Sequence, residues 1–256
     1  MKKIWKCQRT GLTEGSLIYN EWLKTKGLYR KDTEAEFINW LYTTSGWYDK
    51  DITGSYFDID VEAVKKSENY QRFLREFKDS LKDSDWFHLM LHSSYHLNGL
   101  EMVDEFSNQF SITNHNYWGN RTKMQQITGG KRILVISSIA PLISERYGVL
   151  GYQTPQTHFN TGEHQNAWET LDKITEEIEN LKSQFDFAIV SFGAYGCLLT
   201  DRIVKMGKDA ATVGSGIYDL YPIEHIPEEY RPKDYKKIED GRYWRDSTRG
   251  RMTVAP

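Results

Sequence analysis

Residues 185 to 216 read FDFAIVSFGAYGCLLTDRIVKMGKDAATVGSG, and the order of elements within this stretch decides the fold. Phe185 to Val190 is a short, nearly continuous apolar run ending at small residues, the pattern of a strand buried on both faces of a parallel sheet. Gly193 and Gly196 then bracket Ala194 and Tyr195, after which Leu198, Leu199, Ile203 and Val204 recur at helical spacing to Met206. Ala210 to Val213 is a second short strand, followed by Gly214, Ser215 and Gly216. Strand, glycine turn, helix and strand make one parallel crossover. A glycine turn at a helix start leaves backbone N–H groups facing outward, where the helix dipole favours phosphate or carboxylate. The same glycines also serve a tight turn that only lets the helix pack closely on the sheet, and the spacing leaves both readings open.

Working back from this unit, Lys131 to Ser137 (KRILVIS) reads as another buried strand, with a helix from about Pro141 to Tyr147 and a loop near Thr154 to Gly162. Asn166 to Lys182 carries Trp168, Leu171, Ile174, Ile178 and Leu181 on one helical face. The alternation predicts a parallel α/β sheet with helices on both faces. Ligands in such sheets bind beyond the carboxyl ends of the strands, so Ser137 and Ser138, the turn Gly193–Gly196 and the cluster at Gly214 and Ser215 are expected to converge there. The first half differs. A strand at Ile4 to Gln8 precedes helices from Glu14 to Lys26, Thr33 to Thr43 and Val61 to Leu81, with a short strand at Trp86 to Leu91. One domain over 1–256 is expected: a helix-rich half (1–128), a parallel α/β half (129–220) and an extended, proline-punctuated segment (221–256).

Composition narrows the setting. With 256 residues, 39% of them hydrophobic, the chain can bury a sizeable core. A net charge of -3 and a pI near 6.2 argue against a surface built wholly for nucleic acid. The two cysteines, Cys7 and Cys197, have no spaced partners, so no disulfide framework or thiolate zinc site is indicated. No apolar run approaches the roughly 18 residues needed to span a bilayer, and MKKIWKCQRTG lacks a signal-peptide core. A cytoplasmic protein is expected. Aromatic content of 14% suits sugar or base stacking as well as core packing.

Common catalytic motifs drop out one by one. His88, His92 and His96 fall four residues apart, but no HExxH string accompanies them. VGSG at Val213 to Gly216 lacks the spacing of a nucleophile elbow; FGAYG is not GxGxxG, and no Walker loop is present.

What remains is Arg9-Thr10-Gly11-Leu12-Thr13-Glu14, an R-x-G-x-x-E string between the first strand and first helix. It is followed in order by Ser45-Gly46-Trp47-Tyr48, Ser84-Asp85-Trp86, KRILVIS, FDFAIVSFGAYG, Met206-Gly207-Lys208-Asp209-Ala210 and Ile238-Glu239-Asp240-Gly241-Arg242-Tyr243-Trp244. This order resembles the glycosyltransferases of the GT-D fold type found in bacterial polysaccharide loci and in viruses, phage included. The resemblance implies a single Rossmann-like domain that takes a nucleotide-sugar donor and transfers its sugar to an acceptor hydroxyl on a glycan or another molecule. It implies catalytic roles for Arg9 and Glu14, and donor contacts from Gly11, Ser137, Ser138, Gly193, Ala194, Tyr195, Gly196, Gly214 and Ser215. Arg9 and helix-start amides would meet charge on the leaving diphosphate, with Glu14 as the base. Glu14 is also the candidate ligand for Mn²⁺ or Mg²⁺. The founding pattern has an Asp two positions before the Glu; Leu12 stands there in this chain, removing one of the oxygen ligands a hard cation wants. Two alternatives stay open: a nucleotide-sugar binding protein without turnover, and transfer to nucleic acid, suggested by Arg242, Tyr243, Trp244, Arg245, Arg249 and Arg251.

Overall fold

A computed structural model describes residues 3–28, 31–52, 59–90, 105, 121–157, 162–223, 244–245 and 252–253. Among these, six strands form one all-parallel sheet: β1 (Lys6–Arg9), β2 (Trp86–His88), β3 (Ile133–Ser137), β4 (Leu150–Gln153), β5 (Phe187–Ser191) and β6 (Asp209–Thr212), in the order β2-β1-β6-β5-β3-β4. The helices are α1 (Leu12–Thr25), α2 (Lys31–Thr43), α3 (Val61–Lys66), α4 (Glu68–Ser80), α5 (Arg121–Thr128), α6 (Ala140–Tyr147), α7 (Ala167–Asn180), α8 (Gly196–Lys205) and α9 (Ile217–Leu220). The architecture is a Rossmann-like α/β fold with a helix-rich first half, as expected from the strand and helix patterns. A two-stranded antiparallel pair, β7 (Trp244–Arg245) with β8 (Met252–Thr253), stands apart from the sheet.

The strands are apolar on both sides because both sides are covered. Leu134, Ile136, Ala188, Val190 and Ala210 face one core with α1, α2, α4, α7 and α8, while Val135, Phe187, Ile189 and Ala211 face the other with α5, α6 and α9. This period of two along each strand is what parallel strands buried on both faces require. The connections obey one hand. Those from β1 to β2, β4 to β5 and β5 to β6 step one way along the sheet and use the first face; those from β2 to β3 and β3 to β4 step the other way and use the second. Reversing both direction and face preserves the handedness of a parallel crossover. The chain therefore leaves β3 and β5, which are neighbours, in opposite directions, placing a topological switch point between their carboxyl ends.

Three local departures from expectation have physical causes. The helix expected from Val61 to Leu81 is two helices: Ser67 leaves helical geometry and its hydroxyl caps α4 by accepting from Tyr70 N at 3.2 Å. The continuous 3.6-residue pattern runs across that break. β4 and α5 were not anticipated, since LGYQ on an edge strand is half exposed and RTKMQQIT carries few apolar residues. His92 and His96, and the string from Ile238 to Tyr243 with Arg249 and Arg251, lie outside the described residues.

Candidate functional site at the carboxyl edge of the sheet

Arg9 ends β1, and its guanidinium reaches across to the exit of the neighbouring strand β6. Nη1 donates to Val213 O and Nη2 to Ser215 Oγ at 3.3 Å. Gly214 sits beneath it with φ +51, and a Cβ there would lie 2.6 Å from Nη1. The left-handed backbone favours glycine at this position, and a side chain here would also have to displace the Arg9 guanidinium. Ser191, the last residue of β5, donates from Oγ to Gly214 O at 2.9 Å, so the exits of β1, β6 and β5 are tied together.

Gly11 opens α1 as its N-cap, without a side-chain cap, and Glu14 lies in the first turn. The Glu14 carboxylate folds back over this start: a Cβ on Gly11 would meet Oε2 at 2.2 Å. A carboxylate at this point is favoured by the positive end of the helix dipole. Glu14 is 3% exposed, whereas Leu12 is 40% exposed at the mouth of the same turn. Cys197 in α8 donates from Sγ to Arg9 O at 3.4 Å, and burial, then the Glu14 charge, hold its thiol far above the ordinary range. It is no thiolate nucleophile. His88 pairs in register with Arg9; burial, then the Arg9 charge, lower its pKa from 6.5.

The glycine turn at Gly193 is committed differently from Gly11. Ala194 N donates to Ser45 O at 2.9 Å, Tyr195 N to Phe192 O at 2.9 Å and Gly196 N to Gly193 O. Tyr195 is fully buried and its hydroxyl donates to Gly46 O at 3.0 Å. With φ +39 and Ser45 O only 2.3 Å from where a Cβ would stand, Gly193 clasps the Ser45-Gly46-Trp47 loop. Of the two readings of this turn, the packing one describes Ala194, Tyr195 and Gly196; Gly193 itself is exposed beside the switch point. Ser137 is buried and paired in register with Ser191, and Ser138 is half-buried.

The expected residues therefore gather along one edge in two groups. Arg9, Gly11, Glu14, Gly214 and Ser215 surround the exits of β1 and β6, while Ser137, Ser138 and Gly193 flank the switch point. Ser191, His88 and Cys197 belong to this edge too. Nothing local in the sequence marked them, because their neighbours come from other strands.

Among the described residues no three His, Cys, Asp or Glu side chains come together to hold a metal ion. With Leu12 where a second carboxylate would stand, this turn offers Mn²⁺ or Mg²⁺ a single carboxylate, Glu14, short of the several oxygen ligands a hard cation wants. Comparison of the chain with protein-family models, with curated proteins and with solved structures returns no match.

Proposed function

We propose that the protein is a nucleotide-sugar-dependent glycosyltransferase that moves a sugar from a nucleoside diphosphate donor to an acceptor hydroxyl. One arrangement supports this reading: the Arg9 guanidinium at the exit of β1, the α1 start at Gly11 and the Glu14 carboxylate in its first turn all belong to the carboxyl edge of a parallel sheet. Departure of a diphosphate builds negative charge, and Arg9 with the first-turn amides of α1 are the groups that meet it. The acceptor oxygen bonds to the anomeric carbon as the bond from that carbon to the diphosphate oxygen breaks. The nucleoside diphosphate leaves with the electron pair, and Glu14 takes the acceptor's proton.

The burial of Glu14 favours one second reading, binding of the nucleotide-sugar without transfer. Two variants separate the readings from each other and from a purely structural role. Arg9→Ala is expected to cost about 2–4 kcal/mol of transition-state stabilisation, and Glu14→Gln to lower turnover about a hundredfold with donor affinity little changed. Because Glu14 is buried, the melting of each variant is measured beside its turnover, so that a structural loss is told from a catalytic one. If both variants turn over donor at the parental rate, the site assignment fails; if the parent binds donor and never turns it over, the second reading holds.

A further inference from the structure

Beyond the carboxyl end of β4, on the edge of the sheet away from Arg9, lies a groove of about 340 Å³ between the strand exit and α7. Its size is within the range of small-molecule sites. Tyr152, Gln153, Gln156, Glu163, Lys173 and Glu177 are among its walls. The walls are held in place: Thr154 N donates to Ser137 O at 3.2 Å, Gln153 Nε2 to Ser138 O at 3.4 Å, and Tyr48 and Thr170 share a hydrogen bond of 2.6 Å. Tyr152 donates its hydroxyl to Glu177, and burial together with that carboxylate keeps it a neutral phenol.

The chemistry of the lining selects a ligand class. Carboxylates present paired oxygens and carboxamides one oxygen beside N–H donors, matching adjacent hydroxyls that both donate and accept. Lys173 stands 3.4 Å from Glu176 and 3.8 Å from Glu177, so its charge is answered within α7. Glu163 and Glu177 leave the groove acidic, which repels phosphate. An aromatic wall at Tyr152 offers apolar contact for the C–H face of a ring.

We propose that this groove is a subsite for a neutral sugar ring bearing adjacent hydroxyls. Its role in the reaction rests on the glycosyltransferase reading. Four strand spacings, roughly 19 Å, separate β4 from β1, so a ring held here is not the one transferred at Glu14. The ribose and the transferred sugar of a nucleotide-sugar are joined by a single diphosphate, too short to span that distance, so the ring held here is one of an extended acceptor glycan and not the donor's ribose.

The test titrates ¹⁵N-labelled protein with methyl glycosides of glucose, galactose, mannose and N-acetylglucosamine in one arm, and with uridine, adenosine and guanosine in the other. Amide shifts confined to 152–157 and 163–177, lost at least tenfold in affinity in Glu177→Ala and Gln156→Ala with melting unchanged, are expected from the glycoside arm. Binding of nucleosides in place of the glycosides overturns the acceptor assignment. No shifts in either arm, shifts indifferent to both variants, or tighter binding of inorganic phosphate than of any neutral ring overturns the proposal. Ring binding in a protein that turns over no nucleotide-sugar leaves the groove standing and removes the transferase reading alone.

Discussion

Gly11 and Gly193 look alike in the sequence, yet substitution separates them. An added Cβ at Gly11 meets only the end of the flexible Glu14 side chain, so Gly11→Ala should cost less than about 1 kcal/mol of stability while displacing the carboxylate and lowering turnover about tenfold. At Gly193 the same atom meets backbone, Ser45 O, in a left-handed conformation. Gly193→Ala should therefore destabilise the fold by at least about 2 kcal/mol, with binding lost in step; thermal melting beside donor titration distinguishes the two. His88 gives a pH signature. Its folded pKa lies below 6.5, so below pH 6.5 the unfolded chain binds a proton that the folded one resists. Stability should be flat above pH 6.5, decline as pH falls below it, and level off beneath the folded pKa. His88→Gln should flatten that decline in urea melts taken from pH 7.5 to 5.

Helix caps set the register of the elements that frame the edge. Asn166 Oδ1 accepts from Trp168 N at 3.0 Å and Glu169 N at 3.1 Å, fixing the start of α7. Asn166→Ala is expected to cost about 1 kcal/mol, and Ser67→Ala, at the break before α4, about the same; urea denaturation of each variant checks both values. A parental midpoint in either would mean that the cap is not holding its helix. The strands that define the sheet were legible because burial on both faces writes an apolar run into Ile133–Ser137 and Phe187–Val190. β4 was not, because an edge strand carrying Gly151 and Gln153 buries too little to leave that mark. The placing of Ser137, Gly193 and Gly214 along one edge followed from the alternation of strands and helices; the reach of Arg9 to Ser215 did not, since nothing in the sequence set β1 beside β6. The clasp of Ser45 on Gly193 did not, since the two positions are 148 residues apart in the chain and neither side chain advertises the other.

The whole molecule is stitched from sheet to helices by buried polar groups behind the edge. Gln8 donates to Ser80 O and Cys197 O, each at 3.0 Å, and accepts from Thr212 Oγ1 at 2.8 Å, joining β1 to β6, α8 and the end of α4. Lys6, 6% exposed, pairs with Asp201 at 2.5 Å and donates to Lys82 O at 2.7 Å. Breaking a buried pair from one side is worse than removing both charges. Asp201 keeps Lys205 at 2.7 Å as a second partner, so Lys6→Met should lose about 1–3 kcal/mol, and the double variant with Asp201→Leu should recover part of it; a double variant no better than the single would show that Lys6 acts through Lys82 O instead. The glycosyltransferase proposal asks the strand exits, at the other end of β1 from Lys6, to meet charge on a leaving group. That claim is tested most directly by incubating the protein with a panel of nucleotide-sugars and following both melting temperature and release of nucleoside diphosphate. One donor is expected to raise the melting temperature and to be turned over, with Arg9→Ala lowering the turnover about 10²–10³-fold. Absence of both a thermal shift and diphosphate release with every donor contradicts the proposal.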